Sequence, residues 1–169
     1  MPEVRNQKIL EELKNRGYLK GSELAKIFDV TRQVIVRDIA ILRAEGNDII
    51  ATPNGYFLNT PEKNQKLRKV IATKHQKETI ERELEIIIDN GGKVLDVIVE
   101  HPIYGEIKAN LMLDNRADLA SFVENTKKRN AKPLSSLTDG VHLHTIEGDT
   151  KEILERIVYK LDQEGLLIK

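Results

Sequence analysis

The chain carries four histidines, His75, His101, His142 and His144, and all of them lie beyond residue 66. His142 and His144 stand two positions apart in VHLHTI (141–146), a run that reads as a strand. Successive side chains of a strand alternate faces, so both imidazoles project from the same side. Two imidazoles so placed can share one metal ion; two polar residues on an open sheet face have the same spacing. There is no cysteine, which excludes disulfides and thiolate metal sites, and nothing points to an oxidising compartment.

The second group of chemistry-bearing residues lies near the N-terminus. The segment 22–43, SELAKIFDVTRQVIVRDIAILR, reads as a helix-turn-helix. Ser22 is a suitable cap for a first helix, with Leu24, Ala25 and Ile27 as its buried face. Asp29-Val30 forms the turn; aspartate stands where many such turns carry glycine, and it visits the left-handed region readily. Thr31 caps a second helix in which Val34, Ile35, Ile39 and Leu42 recur at helical spacing. Its outward positions are then Arg32, Gln33 and Arg37, side chains suited to base edges and phosphates. Ile49–Ala51 and Tyr56–Leu58 are short strand-like runs joined by Thr52-Pro53-Asn54-Gly55, a strong turn signal. A β-hairpin in that position is the wing of a winged helix, and the periodic segment Val4–Arg16 supplies its first helix.

Charge and length set the frame. The 169 residues hold 27 basic and 27 acidic side chains, with 40% hydrophobic and 32% charged residues. Residues 1–66 carry 11 Lys/Arg against 9 Asp/Glu, and the rest 16 against 18. The chain is therefore no general polyanion binder, and DNA contact must come from a local stripe, doubled by dimerisation. No apolar run approaches the ~20 residues that span a bilayer, and the first residues are charged and amphipathic, so a cytoplasmic protein without membrane contact is expected. The polar stretch Asn59–Asn64 marks a joint between a domain at 1–60 and another at 67–169.

Beyond the joint, strand and helix signals alternate. Lys69–Lys74 reads as a strand, with helix as the alternative; Gln76–Asp89 is helical and stops at Asn90-Gly91-Gly92. Val94–Glu100 and Glu106–Leu113 are strands, Asp118–Arg129 a helix, Val141–Ile146 a strand, Thr150–Glu164 a helix, and Leu166–Ile168 closes the chain. The sum is α+β: a winged helix-turn-helix followed by a βαββαβα open-faced sandwich (HPr-like), its helices on one side of a mainly antiparallel sheet.

The chain resembles the nicotinate-responsive transcriptional repressors of NAD biosynthesis, which join a winged helix to a three-histidine (3H) domain. The helix-turn-helix, the segment around His75 and Glu83, VEHPIYGEI (99–107) and LSSLTDGVHLHTI (134–146) carry the likeness. The resemblance implies that His75, Glu83, His142 and His144 bind one divalent transition metal, nickel or zinc foremost, a donor set consistent with imidazole and carboxylate chemistry. Eight positions along one helix separate Cα atoms by about 12 Å, so His75 must precede the helix, with Glu83 reaching back. First and last main strands side by side and antiparallel would bring His142 and His144 to the same place.

The resemblance further implies nicotinic acid as co-repressor and operator DNA as partner of a homodimer. Thr31, Arg32, Gln33 and Arg37, with Asn54 and Tyr56 of the wing, are the expected DNA contacts. His101, Tyr104 and Arg116 are candidate effector contacts, His101 equally a ligand-supporting group or a turn cap, and Arg116 more readily an ordinary surface arginine. No general base stands beside the ligands and no nucleophile motif occurs, so no enzyme is expected; a purely structural metal, or less readily a metal-dependent hydrolase, is the alternative.

Overall fold

A computed structural model describes residues 1–61 and 66–169. The chain divides into two compact units, Met1–Lys63 and Asn64–Lys169. Of the expected joint, Glu62, Lys63 and Asn64 lie outside the described residues.

The first unit runs α1 (Pro2–Arg16), α2 (Gly21–Phe28), α3 (Arg32–Ala44), β1 (Ile49–Thr52) and β2 (Gly55–Leu58). Ile9, Leu13, Leu24, Ile35, Ile39 and Leu42 fill its core. The turn follows local chemistry. Asp29 takes the left-handed conformation (φ 51°, ψ 51°), and Thr31 Oγ1 accepts the Val34 N–H at 3.3 Å. Two local expectations fail. Ser22 lies inside α2; the cap is Lys20, whose own N–H is taken at 2.7 Å by the Glu23 carboxylate one turn in. Ile27 is 41% exposed, and Phe28 packs on the core in its place.

The wing pairs Ile49 with Leu58 through Thr52 with Gly55. Leu19 extends it by exchanging hydrogen bonds with Tyr56 at 2.8 and 3.0 Å. Glycine is required at position 55, where φ is +133° and a Cβ would meet the Leu19 carbonyl at 2.6 Å.

The second unit contains β3 (Leu67–Lys74), a 3-10 turn at Lys77–Thr79, α4 (Ile80–Asp89), β4 (Lys93–His101), β5 (Gly105–Leu113), α5 (Arg116–Lys128), a second 3-10 turn at Leu134–Thr138, β6 (Val141–Gly148) and α6 (Lys151–Gln163). The sheet order is β3-β6-β4-β5, antiparallel throughout. Leu84 and Ile87 of α4, Leu119 of α5 and Ile157 and Leu161 of α6 pack with Ile71, Val94, Leu113 and Ile146 of the sheet. The C-terminal residues add to the free edge of β3, Ile168 N–H reaching Ala72 O at 2.9 Å. Lys69–Lys74 is strand, and α4 starts at Ile80, four residues later than the helix expected from Gln76, after the 3-10 turn. Among the described residues no helix is long and apolar enough to cross a membrane.

Candidate metal centre

β3 and β6 pair over their whole length, with Thr73 opposite His142 and Ile71 opposite His144. Period-two alternation turns both histidines toward the helices, among Ile71 and Ile146 of the core. His75 follows the last residue of β3, and Glu83 stands in the first turn of α4. The helix therefore delivers its carboxylate across the end of the strand pair. All four side chains are withdrawn from solvent: His75 is 8%, Glu83 0%, His142 3% and His144 4% exposed.

The contacts have one orientation. Glu83 Oε2 meets His75 Nε2 and lies 3.3 Å from His142 Nε2, while Oε1 lies 3.3 Å from His144 Nε2. Ligand atoms of His75, Glu83 and His142 lie within 4.8 Å of one another. The three Nδ1 atoms face away, each toward a backbone carbonyl: His75 to Gln76 O at 2.9 Å, His142 to Gly140 O at 2.8 Å, His144 to Asp96 O at 2.7 Å. A carbonyl only accepts, so every Nδ1 carries a hydrogen. In the neutral rings each Nε2 is then a lone pair aimed at a carboxylate. Glu83 Oε1 has no hydrogen-bond partner.

Apart from the Thr73 hydroxyl 2.8 Å from His142 Nε2, these acceptors face one another without donors, and buried acceptors so placed repel and cannot turn to water. Protons or a cation must answer them. In the metal-free chain burial pushes the His75 and His144 imidazoles down, but hydrogen bonding and charge interaction with Glu83 outweigh it and hold both above the usual imidazole value. Burial pushes Glu83 up, yet the three imidazoles hold it far below the carboxylate range. Three nitrogens and one oxygen with fixed tautomers also suit a divalent transition ion. The donor set and the orphaned oxygen fit one.

Three supporting residues escape a reading by residue type. β4 spends four steps between Val94 and Ile98 while β6 spends three between Ile146 and Leu143. The extra residue makes a bulge, and Asp96 lies within it. Its carbonyl holds His144, its carboxylate takes the Thr145 N–H at 2.9 Å, and Lys108 Nζ stands 3.5 Å away. A lone acid inside the apolar run KVLDVIV was its signal. Gly140 (φ +88°) accepts both His142 Nδ1–H and, at 3.3 Å, the His75 N–H; a Cβ there would lie 2.5 Å from the His75 carbonyl. Gly140→Ala is expected to weaken metal binding by about 10–100-fold, the usual cost of disturbing groups that orient ligands, as measured by competition with a chromophoric chelator. The third is Thr73, buried beside His142.

A groove of about 970 Å³ is lined by Ile98, His101, Pro102, Ile103, Thr138 and Val141, with His142 in its wall. His101 Nδ1 accepts the N–H groups of Ile103 and Tyr104 at 3.1 and 3.3 Å, so it caps the turn while lining the groove. Tyr104 is 76% exposed and stacks at 5.0 Å on His101. Arg116 is differently placed. Its guanidinium meets Asp89 at 2.5 and 2.7 Å and Glu85 at 2.8 Å, tying α5 to α4, so its nitrogens are committed away from the groove and its reading as an effector cation is set aside.

In the first unit, Thr31, Arg32, Gln33 and Arg37 are exposed on α3. Asp38 is turned inward and pairs with Arg5 at 2.5 Å, so its charge does not offset that face. Asn54 and Tyr56 are half-buried, and Tyr56 packs on the core. Arg32 and Tyr56 converge on Gly21, where a Cβ would meet them at 3.4 and 3.5 Å.

Residues 68–169 match the family model of the 3H domain, and residues 5–57 match that of an HTH domain. The chain belongs to the HTH–3H family of transcription repressors. It is 42% identical over 162 residues to a protein of Thermotoga maritima named as probable transcription repressor NiaR, covering 96% of this chain and 90% of that one. It is 39% identical over 167 residues to the transcription repressor NadR of Bacillus subtilis, covering 98% and 93%. These relatives are named as regulators, in keeping with the expectation of a non-enzymatic role.

Proposed function

We propose that the chain is a metal-dependent transcription repressor that binds operator DNA in response to nicotinic acid, controlling genes of NAD biosynthesis or nicotinate uptake. The observation that carries the metal part is the common orientation of three buried imidazoles, each giving Nδ1–H to a carbonyl and turning Nε2 to the Glu83 carboxylate. His75, Glu83, His142 and His144 would hold the ion, nickel or zinc. Such an ion would supply a positive charge and, where it takes more donors than these four, an open position for a ring nitrogen or carboxylate.

The effector reading is supported by a groove that has both His101 and His142 in its wall. Because His101 Nδ1 accepts two backbone N–H groups, its neutral ring keeps the proton on Nε2. That N–H is a donor for the carboxylate of a pyridine acid, with Tyr104 beside it. Operator contact falls to Thr31, Arg32, Gln33 and Arg37, with exposed Val36 available to a thymine methyl and Asn54 and Tyr56 near the backbone. Presentation of two such helices to successive major grooves about 34 Å apart calls for a homodimer, and nicotinate favours the arrangement only through a higher affinity for it.

Calorimetric titration of metal-loaded protein with nicotinate, repeated after chelation, tests this. Saturable heat that vanishes with the metal is expected; no heat in either state would refute the effector reading. The near-complete burial of all four ligands also favours a second reading, a purely structural metal. Stripping would then unfold the domain, and nicotinate would leave DNA binding unchanged.

A further inference from the structure

Thr73 lies in β3 directly opposite His142, is 0% exposed, and faces the same side of the sheet as the ligands. Its Oγ1 stands 2.8 Å from His142 Nε2, the nitrogen that also lies 3.3 Å from Glu83 Oε2. Since His142 Nδ1–H is given to Gly140 O, Nε2 of the neutral ring accepts and the Thr73 hydroxyl donates. The hydroxyl thus occupies the lone pair that a metal ion would take.

One lone pair cannot serve both. With an ion on Nε2, the Thr73 hydroxyl becomes a buried donor that has lost its acceptor, an arrangement folded proteins avoid. With the Glu83 carboxylate also given to the ion in this reading, the partner left for the hydroxyl is an atom held at the ion's open position. A neutral hydroxyl is a poor ligand beside imidazole and carboxylate for such metals, so direct coordination is the weaker solution. We infer that Thr73 is a positioning and specificity residue of the metal centre: its hydroxyl hydrogen-bonds the atom filling the ion's open position. That atom is a water oxygen in the resting protein and an anionic oxygen or nitrogen when a small anion replaces it. A hydroxyl suits both, because it can donate to the lone pair that a bound water keeps as well as to an anion. The inference rests on the metal reading above and adds to it the group that selects what the ion carries.

The test uses the full chain loaded with cobalt(II), as the unmodified protein and as Thr73→Val and Thr73→Ser. Visible absorption reports the ion's surroundings, and titration with azide reports the open position. Thr73→Val should shift the ligand-field bands and weaken azide binding on the order of tenfold, while Thr73→Ser keeps both near the unmodified values. Should valine prevent folding, Thr73→Ala makes the same comparison. Unchanged bands and unchanged azide affinity in the hydroxyl-free variant would overturn the assignment, as would an unmodified cobalt protein that takes up no azide. Failure of the unmodified protein to take up cobalt brings down the metal reading itself, a result distinct from cobalt bound with threonine indifferent.

Discussion

Zinc or nickel added to chelator-treated protein at about 1,000 times its dissociation constant should raise the melting temperature of the C-terminal domain by more than roughly 10 °C, and Glu83→Gln should remove most of that rise. An ion that binds only the folded state at this excess contributes about 4 kcal/mol, and each kcal/mol moves the melting point of a domain this size by about 4–8 °C. Glutamine keeps the shape of the side chain but takes away the one formal negative charge among the four ligands. Glu83 is 0% exposed, so bulk solvent does not replace the lost charge. An equal rise in the glutamine variant would place the metal elsewhere.

The same centre should give the loaded and stripped proteins opposite responses to pH. In the metal-free chain His75 and His144 titrate above the ordinary imidazole value, burial being outweighed by Glu83. A group raised on folding contributes its full stability below its unfolded value, about 6.5, and loses it as pH rises through the folded value. Stripped protein should therefore melt lower as pH climbs above 6.5. Loaded protein should melt higher over the same interval, because protons compete less for the nitrogens. Slopes of the same sign with and without chelator would contradict the arrangement of lone pairs around Glu83.

Arg32→Ala and Arg37→Ala should each weaken operator binding by about 10–100-fold with little effect on melting. Both are exposed on α3, and a good arginine–guanine pair is worth about 1–3 kcal/mol of discrimination. A phosphate contact would instead weaken all sequences alike and lower the salt slope by about one. Anisotropy titrations on operator and scrambled DNA at several salt concentrations separate the two. Unchanged affinity in both variants would move the DNA surface away from α3.

Features decided within a few residues were legible in the sequence. Asp29 could serve the left-handed turn and Thr31 the cap because neither depends on distant chain. His142 and His144 share a face because strand period is two, and their inward turn follows from Ile146 in the same run. The α2 cap was misassigned because Ser22 and Glu23 both suit a helix start, and Glu23 reaches back to Lys20. Arg116 looked free because its partners, Glu85 and Asp89, lie on another helix. Thr73, and the part that Asp96 plays, stayed out of sight for a deeper reason: their places depend on strand register and on a bulge, and a shift of one residue would face them elsewhere.

The coupling of metal to DNA reading is tested most directly by operator affinity, measured by fluorescence anisotropy with and without nicotinate, on loaded and then on chelated protein. Nicotinate should tighten binding of the loaded protein at least tenfold, about 1.4 kcal/mol, and do nothing once the ion is gone. A response that survives chelation, or none in the loaded protein, would contradict the account.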